Sequence, residues 1–357
     1  MITLAVMLIA GIVALMNSIP LSVTTIYSYS RYSLGVSPRG DQSQLDEIRQ
    51  RLVAGTPAPI ERIVVCRANT AMVDSIVGKW PFVVFGFEQP DMRYYVQKLG
   101  AELTQGRYPV EGEPEAVVSQ PVATNLGLRV GDVLLGPDKP DSYSPKEVRV
   151  VGILETHEWI MFMPIEYHRV NHYPPVDVLL VFAENLPDQT RLDEWALDEF
   201  KGDRARLYAF KDLKEQTDSA FKTLYTILNV VVASLVVVLT VMMGMLMNIY
   251  QSQRTNEFGL LQALGYGKRT ILSRVLAEIL VVLAGSWLLG VIVAFALLML
   301  VKTQLFDPRA YALDPTDPST YLYSTPVPVM IFLVAALDFM VRLKRFDPVG
   351  VVERRLL

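Results

Sequence analysis

Three histidines offer the most obvious chemistry in this sequence. They are His157, His168 and His172, in the segment THEWIMFMPIEYHRVNHY, and Glu158 and Glu166 lie among them. Imidazole nitrogens and carboxylate oxygens are both zinc ligands, and a catalytic zinc uses three such ligands with one open position. A metal site in this segment is therefore one hypothesis.

The spacing of these residues favours a different interpretation. The segment reads HEWIM and not HExxH, because Met161 stands where the second histidine would be. Pro174 and Pro175 would stop a helix that could place His168 and His172 on one face. We therefore predict no metal site. The segment is predicted to be a surface or partner-contact loop with three partly exposed aromatic side chains, Trp159, Phe162 and Tyr167.

The sequence also lacks the patterns for nucleotide hydrolysis and nucleophilic catalysis. The closest approach to a P-loop is GYGKRT, but Gln262 stands where the pattern needs glycine and Arg269 where it needs a hydroxyl. No GxSxG motif occurs, and Cys66, the single cysteine, has no histidine near it in sequence. We expect a protein that is not an enzyme and binds no cofactor.

Composition indicates a chain that lies partly in lipid and partly in water. Hydrophobic residues make up 51% of the 357 residues and the mean hydropathy is +0.30, yet charged residues still account for 20%. Such a mixture is typical of membrane spans joined to a water-exposed domain. The net charge of −4 argues against a nucleic-acid partner, because nucleic-acid binders carry a basic excess.

Four apolar segments are long enough to cross a bilayer, which takes roughly 20 mostly apolar residues. The first has no basic segment before it and exceeds the roughly 7–15 apolar residues of a signal peptide, which favours an uncleaved span. The predicted spans are about Ile2–Tyr27, Thr223–Tyr250, Val275–Val301 and Tyr321–Val341.

Two acids lie inside these apolar segments. Glu278 is four residues from Arg274, and Asp338 is four residues from Arg342, so we expect each acid to form an ion pair near the end of its span. A proton or ion relay would need acids deep in the bilayer. We therefore favour ion pairing over a relay.

Basic residues set the predicted orientation. Lysine and arginine are enriched between the second and third spans and again after the fourth, so both regions are predicted to be cytoplasmic. The loop Lys302–Thr325 carries two basic residues and three aspartates and is predicted to lie outside. Both termini are then cytoplasmic, and the long segment Ser28–Lys222 is extracytoplasmic.

The extracytoplasmic segment has the patterns of an α+β domain with a mixed or antiparallel sheet. Within it, Glu102–Gly136 is predicted to be a structural strand–helix–strand unit. Predicted strands are Arg62–Arg67, Phe82–Phe87, Glu115–Gln120, Asp132–Gly136, Glu147–Leu154 and Val176–Ala183. Predicted helices are Ser43–Gly55, Met92–Gly100 and Thr190–Gly202.

Between the second and third spans lies a short charged segment, QSQRTNEFGLLQALGYGKRTI. Helical spacing predicts that Phe258, Leu261 and Leu264 form one apolar stripe, and that Gly265 and Gly267 end the helix. Such a helix could lie in the membrane interface or insert into a groove of a cytoplasmic partner. A simple amphipathic connector is the alternative interpretation.

Three parts of the sequence resemble ABC transporter permeases of the MacB/FtsX type, and they follow one another in the order of that family. RTNEFGLLQALGYGKRTI is similar to the coupling region of that family, and GRYPVEGEPEAVVSQPVATNLGLRVGDVL, followed by VRVVGIL, to its periplasmic core domain. RFDPVGVVERR resembles its terminal signature. The layout of one span, a large outer domain and three further spans matches as well.

This resemblance implies an α-helical membrane protein with four transmembrane helices and an α+β extracytoplasmic domain of the MacB periplasmic core type. The implied domains are transmembrane helices at residues 1–29, 223–250, 275–301 and 323–342, an extracytoplasmic domain with a stalk at 30–222, a coupling-helix loop at 251–274, an outer loop at 302–322 and a cytoplasmic tail at 343–357. Leu213–Phe221 is the candidate stalk.

The resemblance also implies a permease subunit of the type VII, mechanotransmission group, similar to DevC and LolC, in the bacterial inner membrane. Its partners would be a cytoplasmic ATPase subunit and a second permease chain in a homodimer or heterodimer; a periplasmic adaptor is a further candidate. ATP hydrolysis would move the outer domain for export or extraction of a substrate. The implied coupling residues are Arg254, Glu257, Phe258, Gly259, Leu261, Leu264 and Gly265.

An FtsX-like regulator that activates an extracytoplasmic partner such as a cell-wall hydrolase is the alternative function. Two features depart from the family pattern. Members begin with a basic amphipathic segment, whereas the first span here begins at residue 2, so either the start lies upstream or this branch has lost the segment. In the tail, Val351, Val352 and Glu353 replace the Ala, Leu and Arg of the signature.

Overall fold

The computed structural model describes residues 1–39, 44–171 and 177–345. His172 and the predicted tail beyond residue 345 lie outside this part of the chain. The described residues form two compact units. We call residues 1–17, 222–302 and 314–345 the helical unit, and residues 18–221 and 303–313 the sheet unit.

Helices and strands are numbered in chain order. The helices are α1 Ile2–Ile26, α2 Gln44–Gly55, α3 Gln89–Lys98, α4 Gln120–Leu126, α5 Ile165–Asn171, α6 Leu186–Glu199, α7 Phe210–Gln253, α8 Thr255–Ala263, α9 Lys268–Val301, α10 Pro318–Leu322 and α11 Pro326–Arg345. The strands are β1 Leu34–Pro38, β2 Ile60–Ser75, β3 Gly78–Phe87, β4 Glu102–Gly106, β5 Glu115–Ser119, β6 Val133–Leu135, β7 Val148–Glu155, β8 Met161–Pro164, β9 Asp177–Ala183 and β10 Ala205–Tyr208.

In the part of the chain that the structure describes, four helical segments are long and apolar enough to cross a membrane: Ile2–Ile26, Phe210–Gln253, Lys268–Arg309 and Pro318–Val341. The sequence predicted four spans at these places. Helix α7 is much longer than a span needs, because its 44 residues extend about 66 Å at 1.5 Å per residue. It begins at Phe210, and it therefore contains the predicted stalk Leu213–Phe221 in one unbroken helix.

The helical unit has one apolar core, to which α1, α7, α8, α9 and α11 contribute. One close contact joins α1 to α9. A Cβ atom on Gly290 would lie 2.8 Å from the Cβ of Val6 and 3.0 Å from the carbonyl oxygen of Thr3. The Thr3 hydroxyl donates a hydrogen bond to the carbonyl oxygen of Ser286 at 3.2 Å. Only glycine allows the two backbones to approach this closely.

The sheet unit contains a ten-stranded mixed sheet in the order β10-β1-β9-β2-β3-β8-β5-β7-β4, with β6 paired to β7. The pairs β3–β8 and β5–β7 are parallel, and the other pairs are antiparallel. This mixed sheet confirms the predicted α+β class. All six predicted strands are present, although β2 extends eight residues beyond its predicted end at Arg67. No strand was predicted at β1, β4, β8 or β10.

Helices cover the sheet with apolar side chains at helical spacing. Leu52 of α2 and Leu192 of α6 are fully buried against Leu34 of β1 and Leu179 of β9. Aromatic rings fill the neighbouring cluster, where Tyr95 of α3 is fully buried among phenylalanine rings 5.1–6.3 Å from its own.

Residues 303–313 follow α9 and precede α10 in the sequence, but they belong to the sheet unit. The carbonyl oxygen of Arg309 accepts a hydrogen bond from the Asn125 side chain at 2.8 Å. The amide of Ala312 donates to the hydroxyl of Ser22 at 3.1 Å. This segment is therefore an integral part of the sheet unit, although about ninety residues of chain separate it from β10.

The prediction of a partly exposed aromatic loop was wrong. Trp159, Phe162 and Tyr167 are 3%, 0% and 2% exposed. The run Met161–Pro164 is β8, which lies between β3 and β5, and a continuous apolar run of this length is typical of a strand that is buried on both faces. The ring of His168 in α5 is also buried, with Nε2 3.1 Å from the carbonyl oxygen of Val84.

Asp193 of α6 is an unusual buried acid. It is 5% exposed and accepts a hydrogen bond at 2.9 Å from the side-chain nitrogen of Gln189, whose oxygen accepts from the amide of Ala183. Burial raises the pKa of Asp193 from its ordinary value of 3.8 to about 7, against the opposing effect of the Gln189 hydrogen bond. The folded protein therefore favours the protonated carboxyl.

Replacing Gly290 with valine should force α1 and α9 apart and lower the free energy of unfolding by about 1–3 kcal/mol. SDS titration of the purified chain measures this energy. Gly285→Val is the matched control, because a Cβ on Gly285 in the same helix has nothing within 4 Å. Equal losses in the two variants would show that helix propensity, and not the close approach to Val6, sets the effect.

Asp193 should make the chain less stable as pH rises. Its folded pKa lies above the unfolded one, so its contribution is most favourable below pH 4 and is lost as pH rises through about 7. Asp193→Asn should remove a fall on the order of 2 kcal/mol between about pH 5 and pH 8. Thermal unfolding across this range measures the difference. Asp198→Asn, at an exposed position on the same helix, should leave the pH profile unchanged.

Candidate functional site

The short helix α8 is separated from its neighbours by two breaks in the chain. Arg254 interrupts the helix after α7, and Gly265 ends α8 with a positive φ of 91°. The amide of Tyr266 donates to the carbonyl of Leu261 and that of Gly265 to Gln262, at 3.1 and 3.0 Å. This pair of bonds is a Schellman motif, in which glycine takes the left-handed position without strain. Gly265 therefore ends the helix as the sequence predicted.

The guanidinium of Arg254 joins α8 to α9. Its Nε lies 2.8 Å from a carboxylate oxygen of Glu257, and one Nη lies 2.9 Å from each carboxylate oxygen of Glu278. The same guanidinium lies 5.5 Å from the ring centre of Tyr250 and 5.7 Å from that of Phe258. One cation thus fixes the start of α8 against the first half of α9.

Phe258 fixes the inner face of α8. It is 7% exposed, and its ring packs edge-to-face against Phe339 of α11 at 5.3 Å between ring centres. Gly259 is also buried, and Leu261 is half-buried against the same apolar core. These three residues of the predicted site therefore face the helical unit, and a partner cannot reach the Phe258 side chain without moving it.

The outer face of α8 carries a different set of residues. Leu260 and Leu264 are 65% and 68% exposed, and the Glu257 side chain is 61% exposed. Tyr266, just beyond the helix, is 50% exposed. We call Glu257, Leu260, Leu264 and Tyr266 the α8 surface. Exposed leucines of this size beside a carboxylate are typical of a surface that binds another protein.

The predicted stripe of Phe258, Leu261 and Leu264 was wrong at its last member. Residues advance about 100° around a helix, so each step of three residues falls about 60° short of a full turn. Two such steps place Leu264 about 120° from Phe258, on the side of Leu260. Sequence reasoning missed Leu260 and Tyr266, although the spacing of four between Leu260 and Leu264 was a usable signal.

Glu278 has a different partner from the one that the sequence indicated. The expected pair with Arg274, four residues earlier on the same helix, was replaced by the pair with Arg254 across the α8–α9 junction. A cleft of about 530 Å³ lies beside this pair, between α8 and the first turns of α9. Arg274 lines the cleft along with the α8 surface residues Glu257 and Leu260.

Among the residues that the structure describes, no group of three or more His, Cys, Asp or Glu side chains could hold a metal ion. Cys66 is fully buried in the sheet unit, and burial raises the pKa of its thiol. The chemistry of the α8 surface is therefore that of an apolar contact with one adjacent negative charge.

A double-mutant cycle can separate the two possible partners of Glu278. Combining Arg254→Gln with Glu278→Gln should give a coupling energy of about 0.5–1 kcal/mol, since both side chains are partly exposed. The matched cycle of Arg274→Gln with Glu278→Gln should be additive. Free energies of unfolding from SDS titration provide both values, and coupling in the Arg274 cycle alone would contradict the observed pair.

Several solved structures resemble part of this chain. The periplasmic region of MacB from Actinobacillus actinomycetemcomitans has 8% identity and a TM-score of 0.29, covering 52% of this chain and 92% of that one. The extracellular domain of the noncanonic ABC-type transporter YknZ from Gram-positive bacteria has 12% identity and a TM-score of 0.30, covering 50% and 98%. A domain of a permease protein from Porphyromonas gingivalis has 16% identity and a TM-score of 0.26, covering 48% and 84%.

No curated protein matches the chain. Two family models do. The model of the MacB-like periplasmic core domain matches residues 1–192, more than half of the sequence. The model of the FtsX-like permease C-terminal region matches residues 228–347, which include α8 and its partners in α9 and α11. The chain therefore belongs to the MacB/FtsX family of ABC transporter permeases.

Proposed function

We propose that this permease subunit couples ATP hydrolysis by separate ATPase subunits to movements of its extracytoplasmic domain, for export or extraction of a substrate. The α8 surface is the observation that carries the proposal. It presents Leu260 and Leu264 to the outside, although the opposite side of the same short helix is held by Arg254 and Phe258. Because one side of α8 is exposed and the other side is attached to its neighbours, the helix is suited to receive a force from a bound partner.

The residues of α8 divide into two roles in this proposal. Leu260, Leu264 and Glu257 contact the ATPase, because they are the exposed residues. Arg254 and Phe258 are positioning residues, which link α8 to α9 and α11 through an ion pair and a ring contact. A push on the exposed leucines would then move the helix and its two neighbours as one body, since packed interfaces change between discrete arrangements.

Helix α7 provides the path for the movement. It runs from Phe210 to Gln253 without a break, and Arg254 follows its last residue directly. An unbroken helix resists bending better than a loop does, so a displacement at one end is transmitted to the other. No route for a substrate through the membrane is needed in this mechanism.

The proposal has a defined topology and defined partners. Helix α8 and the C-terminus lie in the cytoplasm, according to the basic residues around them, and the sheet unit lies on the other side of a bacterial inner membrane. A second permease chain, identical or related, completes the transporter with two ATPase subunits. The exposed apolar residues of α7 are available to lipid or to that second chain.

Removing the apolar character of the α8 surface should uncouple the ATPase. We expect the double variant Leu260→Asp/Leu264→Asp to lose at least about tenfold in binding to the ATPase subunits that co-purify with the tagged wild-type chain, a loss of about 1.4 kcal/mol or more. Stimulation of ATP hydrolysis in nanodiscs should fall in parallel. Both substitutions are on exposed side chains, so the fold of the chain should be unaffected.

Val53→Asp is the matched control, because Val53 of α2 is 61% exposed and lies in the segment predicted to be extracytoplasmic. It should bind and stimulate the ATPase as the wild-type chain does. Unchanged ATPase binding by the double variant would refute the role of α8, and the absence of any ATPase among the co-purifying proteins would refute the coupling function itself.

A further inference from the structure

The sheet unit contains a cavity of about 340 Å³ that the coupling mechanism does not use. Phe82 and Phe85 of β3 and Leu180 of β9 line it on the side of the sheet strands. The other walls are the segment that follows α1, with Tyr29, and the first turn of α7, with Leu213. Protein interiors leave few voids larger than a water molecule, and ligand sites begin at about 300 Å³.

Among the described residues that line this cavity, none carries an ionisable carboxylate, amine, guanidinium or imidazole. Aromatic rings dominate it, and Tyr29 packs edge-to-face against both Phe82 and Phe85 at 5.8 and 5.5 Å between ring centres. Transferring an unpaired charge into such surroundings would be costly. The cavity therefore excludes ionised ligands and favours an apolar body that can contact ring faces.

Several hydroxyl-bearing side chains and the amide of Asn69 line the cavity, and Tyr27 and Ser30 are among them. The hydroxyl of Tyr27 accepts a hydrogen bond from the indole of Trp80 at 2.5 Å, so its own hydrogen is directed elsewhere. Burial raises the pKa of Tyr27 above its ordinary value of 10, which keeps the phenol protonated as a donor. The hydroxyl of Ser30 donates to the carbonyl of Tyr27, and its oxygen can still accept. Tyr27 as a donor and Ser30 as an acceptor suit a hydroxyl or carbonyl head group.

Gly35 of β1 helps to keep the cavity open. A Cβ atom at this position would lie 3.2 Å from the Cβ of Tyr208 and 3.6 Å from a methyl carbon of Leu180. Both neighbours line the cavity, so any side chain here would reduce its volume. Thr70 and Pro81 also line the cavity, and both are exposed.

We propose that this cavity binds one uncharged single-chain amphiphile, with its alkyl or aryl body against Phe82 and Phe85 and its hydroxyl or carbonyl head near Tyr27. The volume suits one chain and not a two-chain phospholipid. Tyr27 directly follows Ile26, the last residue of the first apolar span, so the site adjoins the point where the chain leaves the lipid, where such amphiphiles concentrate. The proposal is independent of ATPase coupling.

Photolabelling of the full chain in phosphatidylcholine nanodiscs tests the site. The probe is a long-chain alcohol with a diazirine in its chain, and the comparison probe is the fatty acid of the same length and label. We expect the alcohol to label peptides that contain Tyr27–Ser33 and Phe82–Phe85, and unlabelled alcohol to compete. Labelling of these peptides by the ionised fatty acid should be at least about fivefold weaker, since the lining offers no counter-charge.

Filling the cavity provides the decisive comparison. Ala68 of β2 lines the cavity, and Ala68→Phe should reduce labelling of these peptides at least about fivefold while labelling of α9 stays unchanged. Val77→Phe is the matched control, because Val77 is 49% exposed at the β2–β3 turn and outside the lining. Thr70→Trp, at the exposed rim, serves if Ala68→Phe does not fold.

Three outcomes would overturn the proposal. Labelling confined to the membrane helices would show that the probe merely dissolves in lipid. Equal labelling in Ala68→Phe and Val77→Phe would show that the cavity is not the site. Preference for the fatty acid would show that a charge is recognised and that the ligand class is wrong. None of these results bears on ATPase binding, so failure here leaves the coupling proposal standing.

Discussion

The position of α8 depends on one shared guanidinium. Arg254 lies where two helices meet, and its contacts with Glu257 and Glu278 connect the start of α8 to α9 at 2.8–2.9 Å. An exposed ion pair alone contributes little to stability. Here it acts together with Phe258, whose burial against Phe339 supplies the apolar part of the attachment. Apolar burial holds the helix in place, and the ion pair fixes its direction.

Both units therefore use apolar packing for stability and a few polar contacts for orientation. In the helical unit, Gly290 lets α1 and α9 approach while Thr3 sets their register through one hydrogen bond. In the sheet unit, aromatic rings fill the layers between strands and helices, and the buried pair of Gln189 and Asp193 fixes α6 at the end of β9. Such a division suits a protein whose parts must move without losing their internal geometry.

Local sequence patterns predicted the regular elements of this fold. They did not predict positions that depend on contacts between residues far apart in the sequence. Long apolar runs predicted the four spans, and Gly265 predicted the end of α8, because both signals are local. Trp159 was assigned to an exposed loop since nothing local indicates that its segment lies between two other strands. Likewise, helical spacing predicted Arg274 as the partner of Glu278, whereas the ion pair forms with Arg254, 24 residues earlier in the chain.

The segment 303–313 has a consequence for anyone who would study the outer domain in isolation. A polypeptide that runs from the end of the first span to the start of the second omits residues 303–313, because this segment lies near the C-terminal end of the sequence. The side-chain amide of Asn125 would then lose its bond to Arg309, and Ser22, the partner of Ala312, would be removed together with the first span. An isolated outer domain with the native fold must therefore include residues 303–313 as a second, joined segment. A version without this segment would have an incomplete fold.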